Sequence, residues 1–164
     1  GNRFSLGEPE GSESDRLKFI SEILKRAGFR APIQKNIRDE IWLKLIGNLS
    51  FNPISALTGA TLEQICNDQG TEAIVRAMMT EAKLIAEELG AKINMSIEKR
   101  IEGARKVGAH KTSMLQDIEA GKPIEIDSII IAVKELGELT CSPTPYIDTI
   151  LNLTLQKAKL IGCL

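Results

Sequence analysis

The chain has a single histidine, a single tryptophan and a single tyrosine, and aromatic residues fill only 4% of its 164 positions. With His110 the sole imidazole, a Ser-His-Asp or Cys-His mechanism would have to run through that one residue. The three cysteines, Cys66, Cys141 and Cys163, stand far apart without a Cys-x-x-Cys pair. That spacing argues against a disulfide framework or a structural zinc site and fits a reducing compartment. No metal is expected. Apolar runs fall well short of the roughly 20 residues that span a bilayer, so no membrane partner is expected. A charged-then-apolar leader is lacking, and the expected location is cytoplasmic. Acids (22) and bases (21) nearly cancel, and the bases are scattered instead of forming a stripe with aromatics. Nucleic acid is therefore not an expected partner. Neither GxGxxG nor a Walker-type loop occurs, so the chain carries no phosphate cradle for a dinucleotide.

What is present is the make-up of a soluble globular protein, 43% apolar and 26% charged. The first part reads differently from the rest. "RFSLGEPEG" predicts a short strand running into a Gly/Pro turn. Leu17, Ile20, Ile23, Leu24 and Ala27 then set an apolar stripe at helical spacing, closed by Gly28. "APIQK" predicts a second short strand, and the three together make one βαβ unit with parallel strands. One such unit cannot cover both faces of its own sheet, which marks residues 1–35 as part of something larger.

From Asn36 to the end the pattern is helical, six to eight helices in all. Asn36 can N-cap a helix with Asp39 and Glu40 in its first turn. "TLEQ" from Thr61 and "SMLQ" from Ser113 have capping-box spacing. The longest helix is predicted from about Thr71 to Leu89, with others starting at Ser96, Ser113, Asp127 and Thr144. The fold class is mainly α: a multi-helix bundle behind a short βαβ segment.

One line on the first bundle helix stands out. In "IWLKLIGNLSFNP", Lys44, Asn48 and Asn52 follow at i, i+4 and i+8 and form a polar stripe among apolar neighbours. Pro53 is expected to end or kink the helix and leave Asn52 at a mouth. Lys44 can snorkel to solvent while the asparagines satisfy loop carbonyls. Alternatively the stripe walls a polar site, where a lysine between apolar side chains loses hydration of its charged form and becomes a proton donor near neutral pH. A second cluster, "HKTSMLQDIEAGKPIEID", holds Ser113 and Asp127, each readable as an N-cap, and Glu125. Glu125 stands between Ile124 and Ile126, so it either points to solvent or is kept for a cation.

Together the two clusters resemble the ketopantoate reductase (2-dehydropantoate 2-reductase) family. "IRDEIWLKLIGNLSFNPISALTGAT" is similar to the start of its helical domain, and "SMLQDIEAGKPIEID" to its second signature. The resemblance implies a 6-phosphogluconate dehydrogenase C-terminal-like bundle over residues 36–164, the substrate and catalytic domain. Residues 1–35 would be the last βαβ part of a Rossmann domain, and that N-terminal domain would bind most of the NADPH. It implies an NADPH-dependent reductase of 2-dehydropantoate, in pantothenate and coenzyme A biosynthesis. By position, Lys44 would be the proton donor, Asn48, Asn52 and Ser113 would bind the substrate, and Glu125 would meet the cofactor's nicotinamide ribose. If so, Lys44 and Glu125 should face one cleft in direct or one-water contact, about 3–6 Å apart.

The chain departs from the family pattern at Leu62, where a substrate-contacting asparagine is frequent, and at Ser128-Ile129-Ile130-Ile131, where many members have Asn-Gly. These leave open a different 2-keto acid. A non-catalytic helical dimerisation module is the alternative from another class. A homodimer is among the associations left open.

Overall fold

A computed structural model describes residues 2–164, which form two compact units, one up to Leu43 and one from Lys44 to Leu164. In the first, helix α1 (Asp15–Arg26) lies between two extended segments. These pair in parallel at Arg3–Arg30 and Leu6–Ile33, tied by Phe4 N–H to Arg30 O at 2.8 Å and Leu6 N–H to Pro32 O at 3.0 Å. The expected parallel pairing is there, but it stops at isolated bridges and no strand forms among the described residues. Two segments with no third beside them cannot extend the ladder. Ser14 caps α1, accepting from Leu17 N–H, and the Ser21 hydroxyl donates to Ala31 O at 2.7 Å. Of the predicted apolar stripe of α1 only Leu17 is buried, while Ile20 and Ile23 are exposed.

Helix α2 (Ile37–Thr58) is the longest element at 22 residues, and it runs straight past the expected stop at Pro53. A proline inside a helix forfeits one hydrogen bond and costs roughly 3 kcal/mol. The residues after it decide the outcome: Ile54 is 3% exposed, Ser55 0% and Ala56 1%. Packing of that last turn outweighs the local penalty. The chain carries no basic residue in the last turn of α2, and Lys157 supplies the charge instead, its Nζ donating to the carbonyls of Ala56 and Leu57.

Short α3 (Leu62–Asn67) opens on the predicted capping box between Thr61 and Gln64. Helix α4 (Gln69–Glu88) is the core of the bundle and packs against α3, α5 (Ile97–Val107), α7 (Ala132–Leu139) and α8 (Pro145–Ile161). Val75, Met78, Met79, Ala82, Ile85 and Ala86 on α4 are all fully buried. Side chains of the Val, Ile and Met kind contribute about 1.5–3 kcal/mol each when taken out of water. Between α5 and α7 lie α6 (Ser113–Glu119) and a π-helical turn (Asp127–Ile131) that leads straight into α7. Cys66 and Cys163 are buried, Cys141 is exposed, and none is in a disulfide. Among the described residues no helix is long and apolar enough to cross a membrane.

Candidate functional site

The polar line of α2 reaches a cavity of about 380 Å³ within the unit that starts at Lys44. Its walls come from α2, α3, α5 and the loop entering α6. Of the residues expected to bind substrate, Asn48, Asn52 and Ser113 all line it, although more than sixty residues separate Ser113 from Asn48. Asn52 is 5% exposed, not at a mouth, because α2 continues beyond Pro53. Its Nδ2 is buried without a hydrogen-bond partner. Buried amide donors are nearly always satisfied, so an unmet one beside a cavity marks Asn52 as a candidate donor.

Ser113 was expected to cap α6, but Thr112 does so, its hydroxyl accepting from Leu115 N–H at 3.3 Å. The one-residue shift leaves Ser113 exposed as the first helical residue, free of capping work and on the cavity wall. Asp127 likewise is no side-chain cap: it sits in the first turn of the π-helical segment, exposed.

Lys44 heads the polar line one turn before Asn48, yet its side chain is exposed and it does not line the cavity. The apolar walls expected to desolvate it do not enclose it. Glu125 is exposed as well. It is turned outward because its neighbours Ile124 (9% exposed) and Ile126 (2%) turn inward, with Ile124 N–H donating to Cys163 O at 3.0 Å. Among the described residues no ion pair joins Lys44 to Glu125, so of the direct or one-water approach that was expected, a direct charge contact within 4 Å is not made. Among the described residues there is no group of acids, cysteines and histidine fit to hold a metal ion.

The structure adds residues that sequence reasoning passed over. Arg100 of α5 lines the cavity opposite Gly47 of α2. Its Nε is buried with no partner, and burial pushes the guanidinium below its ordinary pKa. A signal was available: Arg100 falls on the same helical face as Ile97, Ile101 and Ala104, the inward face of α5. His110 and Leu62 also line the cavity, the loop being fixed by Leu62 N–H to His110 O at 2.9 Å.

A family model described as the ketopantoate reductase PanE/ApbA C terminal matches residues 36–158. The chain belongs to this family. A 2-dehydropantoate 2-reductase of Mesorhizobium japonicum is 54% identical over 163 residues, covering 99% of this chain and 50% of that protein. A solved structure from Ralstonia solanacearum MolK2, described as a candidate ketopantoate reductase, is 43% identical with a TM-score of 0.95 and covers 100% of this chain and 50% of that one. A dimeric ketopantoate reductase from Staphylococcus aureus shares the fold at 22% identity and a TM-score of 0.81, covering 99% of this chain and 55% of that one. The chain spans about half the length of the curated relatives it matches. The mainly helical fold expected from the resemblance is the one found.

Proposed function

We propose that the chain is the substrate side of an NADPH-dependent reductase that converts 2-dehydropantoate to pantoate, on the route to pantothenate and coenzyme A. The observation that supports it most is the cavity that gathers Asn48, Asn52 and Ser113 in a chain of this family. In this reading the two amides and the hydroxyl hold the oxygens of the 2-keto acid, and their fixed dipoles favour the alkoxide that develops at the ketone. Lys44, one turn from Asn48 and open to solvent, delivers the proton to that oxygen.

For the cofactor, the chemistry of the residues present suits one end only. Glu125 offers an exposed carboxylate, anchored through its buried neighbours, that could accept from a nicotinamide ribose hydroxyl. No glycine-rich loop is present for the pyrophosphate, so a dinucleotide-binding half would carry the rest of the molecule. When bound, NADPH supplies the hydride. Three free thiols suit a cytoplasmic setting, and the dimeric relative makes a homodimer the first association to look for. A second reading, a reductase of another 2-keto acid, is favoured by Leu62, which puts an apolar group on the cavity wall.

The test is NADPH oxidation by the full-length protein with 2-dehydropantoate and a panel of other 2-keto acids. Turnover is expected, and Lys44→Ala is expected to lower kcat by about 10²–10⁴-fold with the fold intact. No turnover with any 2-keto acid would overturn the reductase reading. Turnover that survives Lys44→Ala within a few-fold would move the proton donor elsewhere.

A further inference from the structure

We propose that Arg100 is the anion anchor of the cavity: its guanidinium, laid across Gly47, grips the carboxylate of the 2-keto acid and so sets which substrates the site accepts. The inference rests on the cavity being the substrate side of the reductase, and it adds the residue that selects for a carboxylate.

Three observations converge. The side chain of Arg100 has no ion pair or hydrogen bond among the described residues, and its Nε is buried and unpartnered. Among the described residues no aspartate or glutamate lines the cavity, and Arg100 is the one fixed charge on its wall. The other polar side chains there are the amides of Asn48 and Asn52, the hydroxyls of Thr112 and Ser113 and the His110 imidazole, a set able to donate to an anion. A guanidinium partly taken from water without a counter-charge is costly to the fold, and burial has already pushed it below its ordinary pKa. Such a group is explained by a partner that arrives from solution, and a planar carboxylate matches its fork of donors.

The third observation is how the guanidinium is seated. A Cβ added at Gly47 would lie 2.8 Å from Arg100 Cζ and Nε, and closer still to Nη2. No real side chain could share that space, so the glycine in mid-helix, which costs α2 about 1 kcal/mol relative to alanine, is what admits the guanidinium. Gly47, Asn48 and Asn52 line the same cavity as Arg100, so the cation and the amides share one wall. With the charged end held there, the keto acid's side chain is left to the apolar wall that Phe51 and Leu62 contribute.

The experiment compares full-length wild type with Arg100→Gln, Arg100→Lys and Gly47→Ala. In Arg100→Gln, KM for the 2-keto acid is expected to rise about tenfold or more with kcat changed far less, because a binding contact rather than a proton transfer is lost. Arg100→Lys should recover part of the affinity. Gly47→Ala, which helix propensity favours, should raise KM in the same way by displacing the guanidinium. The melting temperature of Arg100→Gln should hold or rise, which a purely structural role would not allow. Unchanged KM in Arg100→Gln or in Gly47→Ala overturns the anchor while leaving the reductase reading intact. If wild type turns over no 2-keto acid, the reductase reading fails, and NMR titration of the chain with 2-oxoisovalerate still decides on Arg100. Binding weakened in Arg100→Gln, with the uncharged amide of the same acid bound no better by wild type than by the variant, supports the anchor. Equal binding in both proteins, or none in wild type, overturns it.

Discussion

At the residue scale, the clearest electrostatic commitment lies outside the cavity, at Glu8. Arg16 donates to both of its carboxylate oxygens, at 2.9 and 2.6 Å, and the Ser14 hydroxyl donates to one of them. Those bonds, Arg16 first and Ser14 next, hold the Glu8 carboxyl at about 2, against an ordinary 4.5. The folded value is the lower one, so Glu8 stabilises the unit up to Leu43 above pH 4.5, and that contribution is lost as pH falls towards 2. Denaturation curves across that range should show wild type losing stability more steeply than Glu8→Gln; parallel curves would mean the carboxylate does little. Little of this was legible in the sequence, because nothing in "GEPEGSESDR" says which acid the arginine will choose. The Thr61–Gln64 capping box was legible, being entirely local. Ser113 was legible as a helix-start residue but missed by one position, since Thr112 offers the same hydroxyl and the backbone takes only one cap.

At the scale of elements, local rules failed where tertiary partners took over. Pro53 read as a helix end or kink; the end is not there, because buried packing of Ile54 to Ala56 carried α2 through it. Helix α8 shows the same lesson at its start. Thr144 makes no side-chain cap, and Glu81 of α4 reaches across instead, accepting from Tyr146 N–H at 2.9 Å and Ile147 N–H at 3.0 Å. A buried acid sixty-five residues away capping a helix has no signature in sequence. Glu81→Ala would leave two amides without an acceptor and should cost about 1–3 kcal/mol, read as a lower urea midpoint. Glu81→Gln, which keeps one acceptor oxygen, should lose less. Equal midpoints for all three proteins would show that water replaces the cap. The asparagines of the candidate site were legible because i, i+4, i+8 spacing fixes a face; Arg100 was not singled out, because a cation on an inward face looks like any other charge until its partner is seen to be lacking.

For the whole molecule, the helix predicted from about Thr71 to Leu89 is α4, and its Met78, Ala82, Ile85 and Ala86, at helical spacing, do fill the core. What periodicity could not supply was which polar residues of distant helices share a wall. The disposition of the thiols has a practical consequence at this scale. Cys66 is buried, its Sγ 3.6 Å from Ile101 O, and burial pushes the thiol up, away from the reactive thiolate. Cys163 is 2% exposed, and Cys141 alone is open to solvent, in the turn between α7 and α8. Maleimide treatment of this folded chain should therefore add a single label, at Cys141, by intact mass and peptide mapping, and three after unfolding. Rapid labelling at Cys66 in native buffer would mean that α3 opens readily. The chain thus comes with its own attachment point for a fluorophore or spin label, remote in sequence from Lys44, Arg100 and Ser113, and needs no engineered cysteine to be followed spectroscopically.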